Sequence, residues 1–124
     1  MQKIKVLVVD DEEQMYNLLK ITVTPLGFDF HYATSEQDVI DAIKSQSIDV
    51  AIIDYLMPIK NGMQVASEIR EADGLDNLPI VFLTSKELVH EETKKLMSLK
   101  LDYMRKPFVP QVISAKLKEV VSRR

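Results

Sequence analysis

Ile4-Lys5-Val6-Leu7-Val8-Val9, followed at once by Asp10-Asp11-Glu12, is the stretch on which the fold turns. A β-branched apolar run of this length reads as a buried strand. Its sudden end at three acids makes it too short for an export signal or a membrane span. Working outward, Met15, Leu18, Leu19 and Thr22/Val23 recur at helical spacing, and Pro25-Leu26-Gly27 supplies a stop. Phe28 to Ala33 reads as a second strand, less apolar and therefore nearer an edge. Thr34 or Ser35 is then expected to cap a helix carrying Val39, Ile40 and Ile43 on one face.

The same alternation continues to the end of the chain. Val50-Ala51-Ile52-Ile53 is the third strand, with a turn at Pro58 and Asn61-Gly62 before a helix bearing Val65, Ala66 and Ile69. Leu78 to Leu83 is the fourth strand. The fourth helix, about 87–99, has a weak apolar face of Val89, Leu96 and Met97 among many charges. A short fifth strand over 102–104 leads through Lys106-Pro107 into a last helix with Ile113, Leu117, Val120 and Val121 inward. Five strand–helix units without linker or repeat argue for an α/β fold, a parallel sheet doubly wound with five helices. Strands 1 and 3 are the most apolar and belong at the centre, which suits the order 2-1-3-4-5.

With 124 residues, 46% apolar and 28% charged, residues 1–124 are expected to form a single domain with one real core. The absence of cysteine excludes disulfides and thiolate metal sites. The chain is read as cytoplasmic, without membrane contact. Residues 1–62 carry a net charge of −5 and residues 63–124 a net +2, which together give the −3 of the whole chain. No one-signed basic face suggests direct nucleic-acid binding. The basic tail, Lys116, Lys118, Arg123 and Arg124, suits a solvated helix end.

In such a sheet, ligands bind at the carboxyl ends of the strands, beside the point where strand order reverses. Strand 1 ends in Asp10-Asp11-Glu12, strand 3 in Asp54, strand 4 in Thr84-Ser85 and strand 5 in Arg105-Lys106-Pro107. Each residue alone has a plain explanation: an acid at a helix N-terminus, a turn residue, a cap, a surface charge. Their coincidence on one rim does not. Packed carboxylates repel unless a cation neutralises them. Oxygen ligands without Cys or His favour a hard ion such as Mg²⁺ (or Mn²⁺). One carboxylate can then attack a phosphoryl group to give an aspartyl phosphate, with Lys106 as a point charge and Thr84 as a hydrogen-bond donor.

Val6 to Glu12, Asp49 to Pro58 with Asn61-Gly62, Val81 to Ser85, and Asp102 to Phe108 together resemble the response-regulator receiver domain of two-component signalling. The resemblance spans essentially the whole chain and implies a flavodoxin-like receiver fold. It implies that Asp54 accepts phosphate from a sensor histidine kinase or phosphotransfer protein. Asp10, Asp11 and Asp54 would bind Mg²⁺, with the backbone carbonyl of Leu56 as a further ligand. Thr84 and Lys106 would contact the phosphoryl group, and Thr84 with Tyr103 would form the switch. The output face would be helix 4, strand 5 and helix 5, acting on a downstream protein, an attached output domain, or a second copy as a phosphorylation-dependent homodimer. Such a domain turns over no substrate and catalyses only its own phosphorylation and dephosphorylation.

Two departures stand out. The family often has Gly-Ala before strand 5, where this chain has Leu99-Lys100. The positions two beyond Asp54 and Thr84, which in this family influence dephosphorylation, are Leu56 and Lys86. Three rivals fit less well. A phosphohydrolase with an aspartyl nucleophile usually has a second Asp where Leu56 stands, and a pseudo-receiver commonly lacks one of the acids or the lysine. A flavin site would not place Asp10-Asp11-Glu12 against a phosphate.

Overall fold

The computed structural model describes residues 3–58, 60–85, 87–106 and 109–123. Lys86, Pro107, Phe108 and Arg124, to which the sequence reading gave roles, lie outside the described residues. The strands are β1 (Ile4–Val9), β2 (Phe28–Ala33), β3 (Val50–Asp54), β4 (Ile80–Thr84) and β5 (Asp102–Arg105). The helices are α1 (Glu13–Thr22), α2 (Val39–Ser45), α3 (Gly62–Glu71), α4 (His90–Ser98) and α5 (Pro110–Ser122), with a short 3₁₀ turn at Thr24–Leu26. All neighbouring strands run parallel in the order β2-β1-β3-β4-β5.

Alternate residues of each strand point to opposite faces, so unbroken apolar runs feed two cores at once. Leu7, Val9, Ala51, Ile53, Ile80 and Phe82 meet Ile43 of α2, Ile69 of α3 and Leu96 of α4. Val6, Val8, Val50, Ile52, Val81 and Leu83 meet Leu19 of α1 and Ile113 and Leu117 of α5. The centre of the sheet is thus closed to solvent on both faces, and β2, an edge strand, is less completely buried. Every strand reaches the same rim with its carboxyl end.

Three local expectations shift. The cap of α2 is Asp38, whose side chain accepts from the Asp41 N–H at 2.9 Å, not Thr34 or Ser35. The Thr34 N–H goes to Gln37 Oε1, and Ser35 is engaged elsewhere. Helix α4 starts at His90 rather than near 87, and of its expected apolar face only Leu96 is buried. Val89 and Met97 are 59% and 78% exposed. Strand β4 begins after Pro79, a residue with no N–H to give a ladder.

Candidate functional site

Each rim residue is held by the strand that delivers it. The Asp10 N–H donates to Ala33 O, extending the β1–β2 ladder one residue, and the Asp10 carbonyl accepts from the Tyr32 hydroxyl at 2.8 Å. Its carboxylate accepts the Glu12 N–H at 3.0 Å, so the acid run satisfies an otherwise orphan donor at the start of α1. Glu12 stands at the cap position of α1 without a side-chain cap bond. Asp54 closes β3, and the Tyr55 N–H after it continues the ladder to Leu83 O. Thr84, buried, closes β4, and its carbonyl accepts the Lys106 N–H at 2.8 Å. The third and fourth motifs are thereby held together at the rim.

The Lys106 ammonium lies 3.3 Å from Asp54 Oδ1, with both side chains only partly exposed. Asp10 is 4% exposed, and burial pushes its carboxyl above the ordinary value. The Glu12 N–H offsets this, the Asp54 charge adds to it, and Lys106 relieves it. Two coupled carboxylates, one buried at a cost, form a site that favours added positive charge. Their hard oxygens fit Mg²⁺, which is held by one or two carboxylates and keeps waters. Among the described residues, no three acidic or histidine side chains are gathered as a metal-binding group.

The Asp11 carboxylate is turned onto Ser35. Oδ1 accepts from the Ser35 N–H at 2.8 Å and stands 2.7 Å from its hydroxyl, and Oδ2 stands 2.9 Å from the same hydroxyl. Leu56 is 57% exposed beside Asp54, and Tyr103 is 40% exposed on β5, opposite Phe82. The sequence reading gave Ser35 only a capping role, although it follows the end of β2 and so belongs to the same rim. It missed Tyr55, whose hydroxyl donates to Glu92 Oε2 of α4 at 2.7 Å. Burial and the Glu92 carboxylate push the Tyr55 phenol up to about 12. Its ring packs edge-on against Phe82.

Comparison with known proteins bears directly on this arrangement. Residues 6–118 match the family model for the response regulator receiver domain. The chain belongs to that family. It is 32% identical over 122 residues to the alkaline phosphatase synthesis transcriptional regulatory protein PhoP of Bacillus subtilis. That alignment covers 96% of this chain and 49% of PhoP, so the chain spans about half the length of this curated relative. A putative response regulator from Chloroflexus aurantiacus has the same fold, with a TM-score of 0.85, 24% identity and coverage of 98% and 100% of the two chains. Chemotaxis protein CheY4 of Vibrio cholerae also gives 0.85, at 24% identity, covering 95% of this chain and 98% of CheY4. Receiver domains are phosphorylation-dependent signalling switches rather than enzymes that turn over a substrate. No helix among the described residues is long and apolar enough to cross a membrane.

Proposed function

We propose that Asp54 accepts a phosphoryl group from the phosphohistidine of a sensor histidine kinase or phosphotransfer protein. The observation that carries this is the Lys106 ammonium 3.3 Å from Asp54 Oδ1, with buried Asp10 electrostatically coupled to the same carboxylate. An Asp54 oxygen forms the new O–P bond as the histidine N–P bond breaks; the bonding pair stays on the ring nitrogen, and the imidazole, already protonated on its other nitrogen, leaves neutral. Lys106 offsets charge on the phosphoryl oxygens, and the Thr84 hydroxyl donates to one of them. Asp10 and Asp54, with Asp11 and the Leu56 carbonyl, would hold Mg²⁺ (or Mn²⁺), which supplies charge neutralisation and alignment of the phosphoryl oxygens. Hydrolysis of the acyl phosphate by water returns Asp54 and releases inorganic phosphate, so the chain's own catalysis is confined to loading and unloading itself.

Thr84 and Tyr103 connect this event to the face made by α4, β5 and α5. Tyr103, partly exposed on β5, has room to change its packing, and α4 buries little. The face then regulates a downstream protein, an attached output domain or a second copy of the chain. PhoP, named as a transcriptional regulator and about twice as long, supports an attached output. Nucleic acid is not contacted by this domain in this reading, and the domain acts in the cytoplasm.

Incubation with Mg²⁺ and a small phosphodonor, read by intact mass, tests the central step. Wild type is expected to gain one phosphoryl group and Asp54→Asn none; equal uptake by both overturns the proposal. Leu56 bears on how long the group stays. An exposed apolar side chain gives an attacking water no hydrogen-bond partner, so Leu56→Asn is expected to shorten the phosphorylated lifetime several-fold. Equal half-lives for the two proteins would remove that role from Leu56.

A further inference from the structure

We propose that Ser35 is a positioning residue for the divalent cation: it clasps Asp11 away from the cation site, and cation binding requires that clasp to open. The inference rests on the reading of Asp10, Asp11 and Asp54 as cation ligands. Ser35 follows the carboxyl end of β2, across β1 from Asp54, and is 5% exposed. Its N–H and hydroxyl both engage Asp11 Oδ1, at 2.8 and 2.7 Å, which uses both lone pairs of that oxygen. The single hydroxyl proton is shared with Oδ2 at 2.9 Å. Asp11 so held does not join Asp10 and Asp54, and no three acidic side chains among the described residues form a metal-binding group.

The clasp makes electrostatic sense. Lys106 is the ammonium paired with Asp54 beside buried Asp10. A third carboxylate turned inward would add repulsion, and Ser35 instead gives one of its oxygens two donors. Ligand affinity for a site whose competent form is partly populated falls by that fraction. Ser35 therefore holds Asp11 outward at the expense of cation affinity.

Calorimetric titration with Mg²⁺, and titration with Mn²⁺ followed by electron paramagnetic resonance of the free ion, test this without phosphorylation. Ser35→Ala keeps the backbone N–H and loses the hydroxyl. Its binding is expected to be about tenfold tighter than wild type, the scale of one hydrogen bond to a charged group. Ser35→Thr, which restores a hydroxyl, is expected to return wild-type affinity. In an Asp11→Ala background, adding Ser35→Ala is expected to change nothing, because the carboxylate that Ser35 holds is gone. Equal or weaker binding by Ser35→Ala, with wild type still binding, overturns the clasp alone. No binding by wild type overturns the cation site and the clasp together. A thermal melt in chelator checks that each variant folds, and Ser35→Cys, a weaker donor, is expected to tighten binding in the same direction should Ser35→Ala unfold.

Discussion

Gly62→Ala is expected to lose about 2–3 kcal/mol of stability and to slow phosphorylation of Asp54 by about a hundredfold. Gly62 opens α3, and its N–H donates to Tyr55 O at 3.0 Å, which folds the loop after the acceptor back onto β3. A Cβ there would lie 2.7 Å from the Asp54 carbonyl, 3.0 Å from Tyr55 Cα and 3.2 Å from the Phe82 ring. Two of those three atoms are backbone, so no rotamer change relieves the clash. Either α3 moves off the sheet or Asp54 moves off the rim. The first shows in urea unfolding, and the second in the rate of phosphoryl uptake from a small donor. Wild-type values for both would mean that the close approach is not needed.

Asp10→Asn is expected to stabilise the protein in chelator while removing the response to Mg²⁺. Burial and the Asp54 charge raise the folded carboxyl above 3.8, with the Glu12 N–H partly opposing them. Below pH 3.8 the group is protonated whether folded or unfolded, and its full contribution is present. As pH rises through the raised folded value, the folded state must carry the charge and that stability is lost. Asparagine keeps an oxygen acceptor for the Glu12 N–H and carries no charge. The gain should show at pH 7 as a raised Tm and should vanish in acid, where the group is protonated in both states. Added Mg²⁺ should raise the Tm of wild type well above that of the variant. A variant less stable than wild type in chelator at pH 7 would show that the charge is not a net burden.

Much of the fold was readable because chemistry and geometry changed at the same residues. β1 ends where Val9 meets Asp10, and β3 closes at Asp54, so both strand and rim were visible in one glance at the sequence. The sheet order then brought Asp10, Asp54, Thr84 and Lys106 to one edge without further information. The cap of α2 was harder: Thr34, Ser35 and Asp38 are all competent caps by type. Asp11, from another strand end, decides it by taking Ser35. The Tyr55–Glu92 bond joins residues 37 positions apart through one hydroxyl, which no periodicity announces. Helix α4 misled for a related reason, since an apolar side chain at helical spacing is buried only where something packs against it.

That helix is supported at its ends more than along its length. Near its start, Glu92 takes the Val89 N–H on one oxygen and the Tyr55 hydroxyl on the other. Past its finish, Arg70 donates from Nε to Leu99 O at 2.7 Å and from Nη2 to Lys100 O at 3.1 Å. Between them only Leu96 is buried. In mechanical terms α4 is a beam on two bearings, one of them on the residue next to Asp54. If the Tyr55 bearing gives way, the Arg70 bearing becomes a fulcrum, and a small displacement beside the acceptor is delivered at the far side of the helix as rotation.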